Sequence, residues 1–413
     1  MMNRKIRALT LGLTFLVTSL GWPSSGLSYA SSAAVLGQRK AYRSGVKARK
    51  ASLQSKRKTS QARQRSAGTR WRRARRRRGP TMAEILAARA RALRLQSQMA
   101  IAQDDVRGED PEVRQAVLNA LGDQAGTVVV MDAQTGRVYS IVNQEWAIRQ
   151  GFTPCSTIKP FVALAALKEN LIRPTFPAGQ ASLSLSLLDA LSRSDNIYFQ
   201  RIGASLGAER LRRYATDFGL GQLTGINLPG EIAGRIPDGP VVGTASSHGT
   251  GFAVTAIQLA VFTAAIANYG AVYRPQVVID DMQAQPAGDQ HGESHGDLAS
   301  GGPTVAFKPI LHRHLNISEV ERLNLLAGMT GAVEFGTARR SYDPTIQVAG
   351  KTGSCTGDAG VRLGLFASFA TVERPRLVVV VITQGINERG SSAAQIAGHI
   401  YQQLADRFQL RHP

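Results

Sequence analysis

No carboxylate occurs in this 413-residue chain before Glu84, and that gap limits what the first fifth of it can fold into. Of the 50 Lys and Arg residues, 21 fall within residues 1–80, and the other 29 share residues 81–413 with all 29 Asp and Glu. The formal net charge of +21 therefore belongs to residues 1–80 alone, and the remainder is neutral. A like-charged block with no acidic partners repels itself and has too little apolar surface to offset the entropy of ordering. Residues 31–80 are accordingly predicted to be a disordered basic arm, with 18 Lys and Arg between 39 and 78. An apolar content of 43 % suits one large folded unit in the rest, and excludes both disorder throughout and a polytopic membrane protein.

The arm follows a segment with the order of an export signal. Arg4, Lys5 and Arg7 precede an apolar run from Ala8 to Trp22, Pro23 ends it, and Ser28-Tyr29-Ala30 offers small residues for cleavage. At 15 residues the run is short for a bilayer-spanning helix, which needs roughly 20. A cleaved signal peptide over 1–30 is expected, with an uncleaved anchor as the alternative. Either places the rest of the chain outside the cytoplasm, in the periplasm or cell envelope. Nucleic acid is then not the expected partner of the basic residues. Residues 39–80 read instead as a solvated tether or as an arm drawn to anionic lipid or envelope polymer.

Met82 to Gln103, rich in Ala, Leu and Arg, is predicted helical, and 104–111 is a polar break, so 81–111 is expected to be a helical linker ahead of a domain at 112–413. A β-hairpin is predicted at 126–132 and 137–143 around a Gln-Thr-Gly turn. Further strands are predicted at 344–350, 362–372 and 376–384, the last apolar enough to lie centrally, and 391–408 is an amphipathic helix. Residues 156–335 between them are mainly helical, interrupted by a polar loop at 281–305. Strands at both ends with helices between imply an α/β fold: an antiparallel sheet flanked by helices, with an inserted all-helical subdomain.

Three motifs stand in order along this domain. Ser156-Thr157-Ile158-Lys159 is a Ser-x-x-Lys at the start of an apolar helical run. Ser194-Asp195-Asn196 is a Ser-x-Asn 38 residues after Ser156, in a helical stretch, and Lys351-Thr352-Gly353-Ser354 opens or ends a strand 195 residues after it. Each alone is a common tetrapeptide or tripeptide; the ordered set is a strong signal. Around them lie Leu191 to Phe199, Phe218-Gly-Leu-Gly221 with Thr224 to Gly230, Gly249 to Leu259, and Gly336-Thr-Ala338.

With these motifs the sequence resembles the penicillin-binding transpeptidase and serine β-lactamase superfamily over roughly residues 112–410, and the flanking segments resemble class B penicillin-binding proteins. The long N-terminal pedestal of that class and a glycosyltransferase domain are not seen in residues 1–111. The resemblance implies a serine acyl-transferase acting on the D-Ala-D-Ala stem peptide of peptidoglycan and acylated by β-lactam antibiotics. Ser156 would be the nucleophile and Lys159 its base, made available by burial and by the neighbouring Lys351 cation. Ser194 would bridge the two lysines and relay a proton to the departing amine. Asn196 would bond the substrate amide and Lys159, while Lys351 and Thr352 would bind the donor's carboxylate. Gly353 would let substrate lie against the strand, and the Ser156 and Ser354 N–H groups would form the oxyanion hole.

Cys155 and Cys355 are the only cysteines. An even count in an oxidising compartment favours a bridge, with two buried thiols as the alternative. The superfamily architecture sets both motifs together, and class A carbapenem-hydrolysing β-lactamases bridge the corresponding positions, so a Cys155–Cys355 disulfide is expected. That likeness raises a second reading, a serine β-lactamase or DD-carboxypeptidase. A third is a sensor that acylates and stops. A class A hydrolase places its water-activating glutamate in Glu-x-x-Leu-Asn; ahead of Leu323-Asn324 that position holds Val320, flanked by Glu319 and Glu321. The class D second motif, Tyr-Gly-Asn, is absent. His291 and His295 with Asp289 and Asp297 lack helical metal-site spacing and read as a solvated loop, and His312 and His314 as surface residues. No Gly-rich phosphate loop occurs, and no metal or cofactor is expected.

Overall fold

Residues 377–382, Leu-Val-Val-Val-Val-Ile, have no polar member, as a strand covered on both faces requires. The computed structural model, which describes residues 79–173, 186–239, 242–278, 307–357 and 360–412, places this strand at the centre of a sheet. The strands are β1 (Gly126–Asp132), β2 (Arg137–Val142), β3 (Ala271–Tyr273), β4 (Gln276–Val277), β5 (Leu311–His314), β6 (Val348–Thr356), β7 (Arg362–Ala370) and β8 (Leu377–Gly385). Six of them form one sheet in the order β4-β2-β1-β8-β7-β6, so strands from both ends of the domain meet at the β1–β8 pair.

Alternation along the central strands feeds two cores. Val129, Met131, Val378, Val380 and Ile382 belong to one, and Val128, Val130, Val379 and Val381 to the other. The second core is closed by α2 (Pro111–Leu121) and α10 (Gly390–Leu404), through residues such as Val113, Val117, Ile396 and Ile400. The first holds α4 (Lys159–Lys168) and α8 (Ala256–Ala267), with α8 packed on the sheet. Every residue of α8 is buried, and so is α4 from Lys159 to Leu167. Helices this apolar on all sides are stable only when enclosed, which fixes their place in the middle of the molecule. The remaining helices are α1 (Met82–Ile101), α3 (Gln144–Ile148), α5 (Leu187–Arg193), α6 (Asn196–Asp217), α7 (Gly243–His248) and α9 (Glu319–Glu334).

The architecture is the expected α/β sheet flanked by helices, with four differences. The sheet is antiparallel except at its edge, where β2 and β4 pair parallel. The strand expected at 344–350 begins at Val348 and runs through the Lys-Thr-Gly motif. Residues before it are taken by a turn, in which Asp343 Oδ1 accepts hydrogen bonds from the Thr345 N–H and hydroxyl. The stretch 156–335, expected to be helical, also contains β3, β4 and β5, which at two to four residues are too short to show an alternating pattern.

Residues 81–111, expected to form a linker, are packed onto the domain. Ser97 on α1 is buried and exchanges hydrogen bonds with Gly126 of β1 at 3.2 Å. In the polar break, the Asp104 carboxylate accepts from the Asn143 and Gln144 N–H groups and from Arg114. Glu109 accepts from Arg114, the Ser140 hydroxyl and the Ile141 N–H. The charges are polar in sequence and buried in space, each carboxylate satisfied by backbone donors and one shared guanidinium.

Residues 1–78, which carry the expected signal and nearly all of the basic arm, lie outside the described residues, as does the His291–His295 cluster. Among the described residues no helix is long and apolar enough to cross a membrane. His312 and His314 are exposed on β5.

Candidate active site

The Ser156 turn is held between two segments that leave it little freedom. Phe152 pairs with Val254 through backbone hydrogen bonds of 2.8 and 2.9 Å, after which Pro154 and Cys155 turn the chain into one turn of 3-10 helix, Cys155–Ile158. Cys155 sits at φ 51°, a left-handed conformation that L-residues seldom adopt. Its sulfur is bonded to Cys355 on β6, with the two Cα atoms 5.7 Å apart, so the expected disulfide is present. Gly249, at φ 70°, closes α7 against the same turn; a Cβ there would lie 2.5 Å from the Pro154 ring and 3.2 Å from the Cys155 nitrogen.

Lys159 follows as the first residue of α4, fully buried. Its Nζ donates to the Ser194 carbonyl at 2.7 Å, to Ser194 Oγ at 2.9 Å and to Asn196 Oδ1 at 2.7 Å. The Ser-x-Asn motif, expected within a helix, is the joint between two. Ser194 ends α5 in a left-handed conformation, Asp195 caps α6 by accepting from the Tyr198 N–H, and Asn196 opens it. The joint turns a hydroxyl, a carbonyl and an amide oxygen toward one point. Burial pushes the Lys159 amine down to about 7, and the Asp195 carboxylate opposes only part of that. An amine so placed exchanges its proton near neutrality and is available as a base.

Lys351, on β6, is also buried, and its Nζ donates to the Thr352 carbonyl at 3.1 Å. Burial pushes it well below the usual lysine range, and the charge of Lys159 adds to the effect. Burial is the dominant cause for both lysines, and the repulsion between the two amines acts on each. The expected Ser194 bridge is formed on the Lys159 side; the hydrogen bonds described for Lys351 do not include Ser194. Nor do those described for Ser156 include Lys159: the Ser156 hydroxyl donates to the Ser247 carbonyl at 3.5 Å. Catalytic hydrogen bonds are often this long before substrate enters.

Gly353 packs closely against the Ser156 turn. A Cβ there would meet the Pro154 carbonyl at 3.0 Å and Thr157 Cγ2 at 3.2 Å. The missing side chain makes room for the Ser156 turn. Thr352 and Ser354 project to the opposite side, where Thr352 Oγ1 shares a 2.6 Å hydrogen bond with Thr337 Oγ1 and Ser354 Oγ accepts from the Gly390 N–H at 2.8 Å.

Side chains from all three motifs open into one cavity of about 320 Å³: Ser156, Ser194 and Asn196 with Thr352 and Ser354. Thr337, Arg389 and Ser391 complete its described lining. The last two were not legible in sequence, being ordinary surface residue types in no motif, brought in by the first turn of α10. His248, also in no motif, lies outside that lining, beside Ser247 at the end of α7. Its Nδ1 shares a 2.6 Å hydrogen bond with Ser247 Oγ, and burial and the Lys159 charge push it below the usual imidazole range.

Glu321, one of the two glutamates considered for a hydrolytic role, accepts from the Ser318 N–H and hydroxyl as part of the α9 cap. Asn324 donates to the Val320 carbonyl within the same helix. This is helix chemistry, not a water-activating loop.

Comparison with known proteins places this arrangement. The penicillin binding protein transpeptidase domain model matches residues 126–402, a span that contains every motif residue above. The peptidoglycan D,D-transpeptidase MrdA of Haemophilus influenzae is 28 % identical over 304 residues, 61 % of this chain and 44 % of that one. Stage V sporulation protein D of Bacillus subtilis is 28 % identical over 296 residues, 63 % of this chain and 43 % of that one. The chain thus spans less than half the length of these relatives. Among solved structures, the apo transpeptidase domain of Burkholderia pseudomallei penicillin-binding protein 3 superposes with a TM-score of 0.60 at 21 % identity, over 75 % of this chain and 98 % of that one. The family match covers well over half of the sequence, and the sheet, the buried lysine pair and the three converging motifs agree with it: the chain belongs to the penicillin-binding protein transpeptidase domain family.

Proposed function

We propose that this protein is a serine DD-transpeptidase of the cell envelope, acting on D-Ala-D-Ala stem peptides of peptidoglycan and acylated by β-lactams at Ser156. The observation that carries the reading is the buried Lys159 amine, depressed to about 7 and held by Ser194 and Asn196 beside the cavity that Ser156 lines. In acylation, Ser156 Oγ bonds to the carbonyl carbon of the penultimate D-Ala and its proton passes to neutral Lys159. The oxyanion forms against the Ser156 and Ser354 N–H groups. The C–N bond then breaks, and the leaving amine takes its proton from Lys159 through the Ser194 hydroxyl. In transfer, an acceptor amine from a second stem peptide attacks the ester, its N–C bond replaces the Ser156 O–C bond, and the proton it gives up passes through neutral Lys159 to Ser156 Oγ. A β-lactam follows the first half, but its leaving amine stays tethered and the ester persists.

A hydrolytic alternative, β-lactamase or DD-carboxypeptidase, needs a base for water. Glu321 is committed to a helix cap, which leaves the class A route to water activation without its glutamate and favours the transferase over a class A β-lactamase. The sensor alternative shares acylation and lacks transfer.

Labelling with a fluorescent penicillin tests the nucleophile: wild type is expected to label covalently and Ser156→Ala to lose more than 99 % of it, about three orders of magnitude in rate. Persistent labelling of Ser156→Ala defeats the mechanism. D-alanine release that rises with an added amine acceptor supports transfer. Steady nitrocefin turnover after the burst would move the assignment to β-lactamase, and acylation with no D-alanine release to a sensor.

A further inference from the structure

The cavity has a single cationic side chain in its described lining, and it is not one of the motif lysines. Lys159 and Lys351 are 0 % and 1 % exposed, and neither belongs to that lining. Lys351 Nζ is turned to its own strand, donating to the Thr352 carbonyl. Buried and outside that lining, the Lys351 ammonium does not face a substrate in the cavity. Arg389 is exposed at the cavity wall. Its described hydrogen bonds are made by the backbone carbonyl, which accepts from Ser392, so nothing described there engages the guanidinium. A guanidinium also presents a planar fork of donors that matches a carboxylate, as an ammonium does not.

The placement of Arg389 is fixed by Gly390. A Cβ at Gly390 would stand 2.7 Å from Thr352 Cβ and 2.8 Å from the Gly353 carbonyl, so only glycine lets the first turn of α10 seat on the motif strand. The Gly390 N–H then donates to Ser354 Oγ, and Arg389 and Ser391 fall on either side of that contact. Thr352 Oγ1, oriented by Thr337, joins them from the strand. The result is a guanidinium, two hydroxyls and the positive end of a 15-residue helix gathered at one end of the cavity.

We infer that Arg389, not Lys351, supplies the charge that reads the free carboxylate of the acyl donor, with Thr352 and Ser391 as its hydrogen-bonding partners. The inference rests on the acyl-transfer reading for the identity of the donor, and it reassigns the cation that the motif alone suggested. Lys351 is left as a buried neighbour of the Lys159 site, and carboxylate selection becomes a property of the α10 first turn.

The test compares a penicillin with its carboxyl methyl ester, using the full chain as wild type, Arg389→Gln and Arg389→Lys. Acylation by the acid is expected to fall about tenfold to a hundredfold in Arg389→Gln, the range for losing a charge-assisted pair, and to recover in part in Arg389→Lys. Acylation by the ester is expected to stay within about twofold, which controls for folding. Equal loss with both compounds, or no loss with the acid, overturns the inference. In a Ser156→Ala background, saturation-transfer NMR reads binding without chemistry. Preference for the acid that vanishes on adding Arg389→Gln supports the site, whereas equal binding of acid and ester, or of neither, overturns it. Acid-selective binding by a wild type that is never acylated would sink the transpeptidase reading and leave the carboxylate site standing.

Discussion

Lys159 is the residue whose chemistry is most exposed to test, because its surroundings conflict. Three acceptors and the Asp195 carboxylate favour an ammonium, while burial opposes it, and burial wins by enough to bring the amine to about 7. The sign follows directly. Below 7 the group is protonated and cannot take the Ser156 proton; above 7 it is neutral and can. The second-order rate of β-lactam acylation is therefore expected to rise about tenfold per pH unit below 7 and to level off above it, when the protein stays folded throughout. In Lys159→Arg that limb should disappear together with nearly all acylation, since a guanidinium does not release its proton in this range. A flat profile in wild type between pH 5.5 and 8 would remove Lys159 as the base. The residue types at this site were legible because their chemistry is unusual in company: a Ser-x-x-Lys, a Ser-x-Asn and a Lys-Thr-Gly in order. Thr337 showed only within a flanking resemblance, and Arg389, Ser391 and His248 did not show, since nothing local distinguishes a cavity arginine from a solvated one.

Elements place these residues, and the disulfide joins two of them. It ties the Ser156 turn to β6 across 200 residues of sequence. In the chain-entropy view a loop that long is worth at most about 5 kcal/mol, and less where the reduced chain keeps residual structure. It also holds Cys155 at its left-handed φ, immediately before Ser156. Replacing both cysteines by serine is expected to lower the melting temperature by several degrees and slow acylation, because the turn loses its anchor to the motif strand. Alkylation of the native, unreduced protein followed by mass spectrometry should find no labelled thiol. Two labelled cysteines, or an unchanged melting temperature in reductant, would remove the bridge from the account. At this scale the sequence was less explicit. The long strands and buried helices were readable from runs such as 377–382. The joint at Ser194-Asp195-Asn196 was not, because a left-handed serine followed by a capping aspartate looks like a continuous helix until φ is known. The start of β6 was displaced for a related reason: the turn at Asp343 depends on side-chain hydrogen bonds to Thr345, which hydrophobic patterning does not register.

For the whole molecule, the change of charge along the sequence falls where the described domain begins. Residues from Pro80 onward form one compact unit, and the basic excess lies wholly before it. The boundary is sharper than the reading of 81–111 as a linker implied, since α1 and the Asp104–Glu109–Arg114 cluster are built into the domain. Cutting at residue 112 would strip Asp104 and Glu109 from Arg114 and remove the Ser97 contacts at the first residue of β1, so the domain is expected to need residues 81–111. Because the family match lies wholly within 126–402, a chain lacking residues 39–78 should keep its penicillin acylation rate within about twofold and its melting temperature unchanged. Its affinity for vesicles containing anionic lipid should fall steeply, as each basic residue near such a surface contributes about 1 kcal/mol at low salt. Co-sedimentation at two ionic strengths separates the possibilities: salt-sensitive binding by the full chain and none by the deletion assigns the arm to anionic surfaces. Equal binding by both would reduce the arm to a tether, and a loss of acylation in the deletion would mean that the basic segment contributes to the fold of the domain it precedes.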